Sequence, residues 1–573
     1  MSEPEETIEL TGGQALVRML QAHGARVAFG IGGFQLLPYY DALHDVRGQL
    51  EHILVKDERD GAFMADAYAR VARTPGVCDG TLGPGATNLV TGLAESFGAG
   101  VPVIALAGES NSMIAGKHAT QESDQLAILR PTVKQAIRVE RIERVPELVR
   151  RAYTVATGGR PGPVLLNVRE DVTHGRHAFA AADLSADPAT CRLPGRRSRP
   201  DPFDVDAAAA LLVRARRPVI LAGGGIHLSD AYQPLAALAR RLQLPIATTI
   251  SGKGSIAEDD PLALGVFGRY SRTANAAIAE ADALLVVGCK LGEIATSRWS
   301  LLPAGAAVIQ LDVDPEELGR NARLAVGLAG DAGLGLADLL AATPDPDTDG
   351  RAGELERLQA ARRDWHAEHA PRRASADSPI HQARMLTELN AILPDDGILV
   401  ADGGFAAHWS ALYWDVRRAG RHYIANRGHA SIGYGVPGAI GAKLAAPDRV
   451  VAGLMGDGGL GMSIGEFETA VRLGLRGLVF VVVDNQASGY VKALQHSLYA
   501  DRFQSVDSVP VDYARVARAF GLHAERVDDP AQLAGALERA MAADRPALVD
   551  VAVTGDPAGL LPGADPRTAA RRG

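Results

Sequence analysis

The chain has 573 residues, too many for one compact core, so about two to four domains are expected. With 47% apolar and 22% charged residues its composition is that of an ordinary globular protein. The formal net charge of −9 excludes general nucleic-acid affinity, and three scattered cysteines (Cys78, Cys191, Cys289) exclude a disulfide framework and point to a reducing cytoplasm.

The N-terminal Ser2-Glu3-Pro4-Glu5-Glu6 lacks a basic n-region and an apolar h-region, so no signal peptide is expected, and no apolar run reaches membrane-spanning length. From about Ile8 to Asp171 strand and helix patterns alternate. Strands are predicted over 27–31, 52–55, 76–81, 101–107 and 163–168, with helices such as 61–73 and 88–99 between them. A polar, Arg/Pro/Ala-rich connector is predicted over 174–202. The second alternating stretch, about 204–340, has strands predicted over 218–222, 245–248, 283–287 and 307–311. Inside it, Leu221-Ala222-Gly223-Gly224-Gly225 lacks the G-x-G-x-x-G spacing and a well-placed acid, so it reads as a strand-to-helix turn. A Pro/Asp-rich break, Thr343-Pro344-Asp345-Pro346-Asp347, and a charged helix near 353–370 precede the third stretch, about 379–553. The Gly/Pro/Arg-rich tail from Gly555 reads as mobile. This pattern predicts an α/β protein of three domains, 8–173, 203–342 and 379–555, each a mostly parallel sheet flanked by helices.

Gly456-Asp457-Gly458 follows an apolar strand predicted over 450–455, and a second apolar strand over 478–483 runs into Asp484-Asn485. Together these read as a site for Mg²⁺ carrying a diphosphate. Mg²⁺ takes hard oxygen ligands in octahedral geometry and shares them with phosphates. Asp457 offers a carboxylate, and the flanking glycines let backbone N–H groups approach phosphate oxygens. Parallel strands joined by a helix over 464–473 bring both ends to one sheet edge. Gly-Asp-Gly alone also serves in plain turns; the order strand, Gly-Asp-Gly, helix, strand, Asn is far more specific.

Other segments carry a resemblance over almost the whole chain: Val55-Lys56-Asp57-Glu58-Arg59 with Ala65-Asp66-Ala67-Tyr68-Ala69-Arg70, Gly83-Pro84-Gly85-Ala86-Thr87-Asn88, Gln121-Glu122, and Ile432-Gly433-Tyr434-Gly435-Val436-Pro437. With 456–485 they resemble the acetolactate synthase-like branch of the thiamine diphosphate (ThDP) enzymes. The resemblance implies pyrimidine-binding, central and diphosphate-binding domains in that order. It also implies a C2 carbanion chemistry carried by the coenzyme.

By that resemblance Asp457, Asn485 and the Ala487 carbonyl bind Mg²⁺, and Gly458 and Gly459 offer N–H groups to the phosphates. A count from Asp457 alone would select Asp484 in place of Asn485; the following turn, Gln486-Ala487-Ser488-Gly489-Tyr490, aligns Asn485 instead. Ile432 is the apolar wedge that bends the cofactor, Ser431 lies beside it, and the Ala430 carbonyl accepts from the pyrimidine amino group. Ile432 alone also reads as a core isoleucine. Glu58 is the acid against N1′ of the pyrimidine, a general acid–base role; alone it also reads as an acid favoured at a helix N-terminus. Gly404, Phe405 and Ala406 stand where relatives carry a diphosphate-contacting pair, so only their backbone contacts carry over.

At the substrate end the resemblance names Gln121, with Gly32, Gly33, His118 and His429 lining the pocket. His429 reads equally as a surface histidine. Thr120 replaces the family's usual Phe, which leaves the acceptor open. Lys492 and His496 read as a solvated helix face. Lys290-Leu291-Gly292-Glu293-Ile294 stands in place of an Arg-Phe-Asp-Asp-Arg motif associated with FAD, so FAD is doubtful. The reaction implied is decarboxylation of a pyruvate-like 2-oxo acid with ligation to a second carbonyl, in a homodimer or homotetramer with active sites between subunits. A simple decarboxylase, a pyruvate oxidase, a 1,2-diketone hydrolase and a non-catalytic cofactor-binding paralogue are the alternatives.

Overall fold

Three six-stranded sheets, parallel throughout, organise the chain. They are seen in a computed structural model that describes residues 6–344, 349–563 and 565. The expectations for 2–5, for 345–347 of the Pro/Asp break and for 564 and 566–573 of the tail fall outside the described residues.

The first sheet runs Glu51–Leu54, Val27–Gly30, Gly76–Gly80, Val103–Glu109, Val164–Arg169, Gln135–Val139. Numbered in chain order, that is 2-1-3-4-6-5. The third runs Tyr423–Ala425, Ile398–Ala401, Val451–Gly456, Leu478–Asp484, Ala547–Ala552, His523–Val527, the same order. The central sheet runs Ala263–Val266, Ile246–Thr248, Pro218–Ala222, Ala283–Val287, Ala307–Asp312, Val326–Ala329, or 3-2-1-4-5-6. Its two middle strands, Pro218–Ala222 and Ala283–Val287, are apolar and buried end to end, as parallel strands covered on both faces require. The Gly223–Gly225 segment is a turn into the short helix Gly225–Ser229, as the sequence suggested.

The chain divides into two compact units, each described by itself. The first comprises Met1–Arg196, Asn426–Pro447 and Ser463–Leu473; the second comprises the rest. In the first unit the expected connector over 174–202 is partly regular. Arg176–Ala180 pairs antiparallel with Thr7–Thr11 and closes the N-terminal sheet's flank. The central helix of that unit, Glu58–Ala72, starts three residues before the predicted one. The Asp57 side chain caps it by accepting from the Arg59 N–H. It ends where Arg73 turns left-handed at φ 59°. Helix Gly435–Ala445 packs against it so closely that a Cβ on Gly441 would lie 2.2 Å from the Met64 carbonyl oxygen. In the second unit the charged helix runs Asp349–Arg373. Among the described residues no helix is long and apolar enough to cross a membrane.

Candidate functional site

The predicted site residues fall at the carboxyl ends of strands in the first and third sheets. That is where an open α/β sheet forms a crevice, at the point where strand order reverses.

In the first unit Glu58 is the first residue of its helix, just beyond strand Glu51–Leu54. It is buried at 6% exposure, and Asn88 Nδ2 donates to its Oε2 at 3.0 Å. Its Oε1 lies over Gly85. Gly83 sits at φ +70°, and a Cβ there would meet the Gln121 carbonyl oxygen at 2.2 Å, so only glycine fits this turn. The Gly83 N–H donates to Gln125 Oε1 at 3.0 Å, and Gln125 Nε2 donates to the Gly108 carbonyl at 2.7 Å. Gln121 and His118 are exposed and left-handed at φ 63° and 57°. Gly32 is exposed, and Gly33 packs against Thr81. Glu58, the Gly83–Asn88 turn and the Gln121 backbone therefore share one sheet edge.

Behind Gly32, Tyr40 donates to Asp79 Oδ1 at 2.7 Å, and His52 Nε2 lies 2.8 Å from Asp79 Oδ2. Burial pulls the His52 pKa down, but the Asp79 carboxylate outweighs it, and the net shift is upward from 6.5.

The segment 426–433, also in the first unit, carries Ala430, Ser431 and Ile432. Ile432 is 45% exposed, so it is not the core isoleucine that its residue type alone would suggest. His429 is exposed. Asn426 Nδ2 donates to the Ser431 carbonyl at 2.5 Å, and Ser463 Oγ donates to the Gly433 carbonyl at 2.8 Å. Glu95, fully buried, accepts from the backbone N–H groups of Gly428, His429 and Ala430 at 2.9, 2.6 and 3.1 Å. Sequence reasoning missed Glu95. The available signal was a lone charge in the otherwise apolar helix Val90–Ala99, which calls for a buried partner.

In the second unit Asp457 opens the helix Asp457–Ser463, so the Gly-Asp-Gly segment leads directly into a helix. Its carboxylate accepts from the N–H groups of Gly458 and Gln486, which ties the ends of two neighbouring strands together. Burial raises its pKa to about 6, with the Asp484 carboxylate adding to the rise. Gly458 is exposed and Gly459 buried. Asp484, the last residue of its strand, faces Arg526 Nη1 at 2.7 Å, which also binds Asp550 at 2.6 Å. Asn485 Oδ1 lies 3.1 Å from the Ala487 N–H, across the left-handed Gln486. The Asn485 amide lies over Gly489, the first residue of helix Gly489–Tyr499.

Gly404 stands at φ 69° before helix Phe405–Tyr413, with Ala406 buried in its first turn. The Phe405 ring meets the Tyr490 ring edge-on at 5.0 Å, and Arg269 Nη1 donates to the Tyr490 hydroxyl at 2.7 Å. Lys492 pairs with Asp507 at 2.7 Å and His496 with Asp501 at 2.5 Å.

The donor set fits a hard divalent cation. Asp457 is a buried carboxylate beside a second buried acid, which a cation would relieve. The Asn485 amide oxygen and the Ala487 carbonyl belong to the turn that binds Asp457, and all three ligands are oxygens. The first-turn N–H groups of helix Asp457–Ser463 suit phosphate oxygens.

Three family models match the chain. The N-terminal TPP (thiamine pyrophosphate) binding domain of the thiamine pyrophosphate enzymes covers residues 10–128, the central domain 205–339, and the C-terminal TPP binding domain 402–551. The chain is 35% identical over 563 residues to a probable acetolactate synthase large subunit of Methanocaldococcus jannaschii, covering 96% of this chain and 93% of that one. It is 35% identical over 556 residues to the acetolactate synthase large subunit of Parasynechococcus marenigrum, covering 95% and 88%. Against the acetolactate synthase isozyme 2 large subunit of Escherichia coli K12 it is 31% identical over 546 residues, covering 95% and 96%.

Proposed function

This chain belongs to the thiamine pyrophosphate enzymes, with an acetolactate synthase-like sequence, and from that premise we propose that it decarboxylates a pyruvate-like 2-oxo acid and ligates the remainder to a second carbonyl. The observation that carries this reading is the oxygen-donor turn at the edge of the third sheet. The buried Asp457 carboxylate accepts from the Gln486 N–H there, and Asn485 Oδ1 accepts from the Ala487 N–H in the same turn.

On this reading those three groups hold Mg²⁺, and the N–H groups of Gly458 and Gly459 receive the diphosphate. The backbones at Gly404, Phe405 and Ala406 and at Gly489 and Tyr490 close the same pocket. Arg526 engages Asp484 Oδ2, and Asn485 is preferred as the ligand because it belongs to the turn whose Gln486 N–H binds Asp457. When bound, ThDP would supply the carbon nucleophile and the electron sink that decarboxylation and ligation need. Glu58 holds a proton at N1′ of the pyrimidine; its burial and its Asn88 partner support a fixed carboxyl there. The Ala430 carbonyl accepts from the pyrimidine amino group, and Ile432, exposed at the end of its turn, fills the bend between the rings. Gln121, His118, His429, Gly32 and Gly33 face the substrates, whose closeness supplies much of the rate.

The active unit proposed is a homodimer or homotetramer with sites between subunits, in the cytoplasm, a compartment supported by three free cysteines. FAD stays outside the proposal, and flavin absorbance of the purified protein decides it. The deciding experiment incubates the protein with Mg²⁺, ThDP and a panel of 2-oxo acids and identifies CO₂ and ligation products by mass spectrometry. CO₂ with a hydroxyketo acid is expected. CO₂ with an aldehyde would make the protein a decarboxylase, and release of neither product from any acid would end the proposal.

A further inference from the structure

Ala430 sits in the left-handed region at φ 59°, where a side chain is disfavoured. Such a conformation persists only when its surroundings hold it. Its N–H is bound by Glu95 Oε2 at 3.1 Å, and the same oxygen takes the His429 N–H at 2.6 Å. Glu95 Oε1 takes the Gly428 N–H at 2.9 Å and Arg70 Nη2 at 3.0 Å. Arg70 Nε in turn donates to Asp66 Oδ1 at 2.6 Å, and Asp66 also accepts from Tyr434 and Ser96 hydroxyls at 2.7 and 2.9 Å. Glu95 and Asp66 are fully buried and Arg70 is 7% exposed. The Ala430 carbonyl accepts no hydrogen bond among the described residues.

We propose that Glu95 is a positioning residue: its carboxylate, steadied by Arg70 and Asp66, fixes the Gly428–Ala430 turn and thereby aims the Ala430 carbonyl and Ile432 at the cofactor. This rests on the assignment of Ala430 and Ile432 to the bent coenzyme. A carboxylate suits the task because three converging N–H donors and a guanidinium need an acceptor without a hydrogen of its own. A purely structural ion pair would need only Arg70 and Asp66. The three backbone N–H groups of one strained turn, all directed at Glu95, distinguish this arrangement.

The test compares wild type, Glu95→Gln, Glu95→Asp and Ser96→Ala as full-length protein with Mg²⁺. ThDP affinity is measured by titration calorimetry, the bound aminopyrimidine tautomers by circular dichroism, and stability by thermal unfolding. In E95Q one amide oxygen can still face His429 and Ala430, but the NH₂ group faces the Gly428 N–H and Arg70. The ThDP Kd should rise about tenfold, the loss expected for one charge-assisted hydrogen bond, and the tautomer bands should change. E95D keeps the charge beside Arg70 but not the reach, so it should move Kd the same way with less loss of stability. Ser96→Ala removes a buried hydrogen bond to Asp66, two partners away from Glu95, and should lower stability while moving Kd less than either Glu95 variant does. Should E95Q fail to fold, E95D carries the comparison. Unchanged Kd and dichroism in the folded Glu95 variants would overturn the positioning role. A wild-type protein that binds no ThDP would instead overturn the coenzyme assignment beneath it.

Discussion

Replacing Glu58 with Gln separates proton handling from every other role of this side chain. The amide has nearly the same shape, and its oxygen can still accept from Asn88 Nδ2, now 3.0 Å from Oε2. What disappears is the ionisable proton. At the first position of its helix the carboxylate also gains about 0.3–1 kcal/mol from the helix dipole, so the stability cost should stay below about 1 kcal/mol. General acid–base catalysis contributes about 10²–10⁴ in rate, which at about 1.4 kcal/mol per decade corresponds to about 3–5 kcal/mol of barrier. E58Q should therefore lose kcat by two to four orders of magnitude (~10²–10⁴) with ThDP affinity and unfolding midpoint near those of wild type. The assay is single-substrate CO₂ release at saturating Mg²⁺ and ThDP, with calorimetric titration of ThDP alongside. An E58Q protein that keeps about half its kcat refutes the proton role. One that loses ThDP as completely as a metal-ligand variant shows that Glu58 serves binding and not proton transfer.

Asp457→Ala should weaken Mg²⁺-dependent ThDP binding by at least about a hundredfold, since even residues outside the ligand shell reach that figure in metal sites; unchanged calorimetric affinity would discredit the metal turn. His52 has a folded pKa above its unfolded value, so its pairing with Asp79 stabilises fully below about pH 6.5 and is lost as pH rises through the folded pKa. The urea midpoint of wild type should accordingly fall between pH 6 and 8.5 by more than that of His52→Gln; equal slopes would remove the pair from the stability balance. Gly441→Ala puts a methyl 2.2 Å from the Met64 carbonyl oxygen on the Glu58 helix, and such overpacking costs about 1–3 kcal/mol. A wild-type unfolding midpoint in G441A would show that the two helices are less tightly apposed than this contact implies.

Several inner strands were legible in the sequence, because strands buried on both faces are continuous apolar runs. Those at Pro218–Ala222 and Ala283–Val287 match their predicted ends. In the third sheet the inner strands Ile398–Ala401 and Ala547–Ala552 and the edge strands Tyr423–Ala425 and His523–Val527 were not predicted; the unpredicted strands of the first two sheets, Gln135–Val139, Ala263–Val266 and Val326–Ala329, all lie at sheet edges. Two of them are only partly buried, so their apolar signal is diluted, and Gly265 interrupts the third. The pairing of Thr7–Thr11 with Arg176–Ala180 leaves no local trace, since each strand meets its partner across most of a domain. The segment proposed to hold a metal could be singled out because its glycine and acid spacing is local. Glu95 was not, because its backbone partners lie 333 to 335 positions away and nothing near it announces them. The helix Asp457–Ser463 also escaped notice: its three glycines argue against helix, and the fold overrides that propensity.

The first and third sheets share the order 2-1-3-4-6-5 although their sequences gave no demonstration of kinship. In both, strands 1 and 3 flank the reversal of order, and their carboxyl ends carry glycine-rich turns: Gly32-Gly33 and Gly83–Gly85 in one, Gly403-Gly404 and Gly456–Gly459 in the other. The same scaffold thus yields two crevices of similar backbone shape. Their chemistry differs through a few side chains. The first crevice places one buried acid, Glu58, after strand 2 with a neutral amide as its partner. The second places Asp457 after strand 3 and the Asn485 turn after strand 4, a set of oxygens that suits a cation. Two neighbouring carboxylates raise one another's pKa, and either a proton or a cation relieves them. One sheet topology can therefore carry two different kinds of site. The division of labour is written in the residue after each strand and not in the strands themselves.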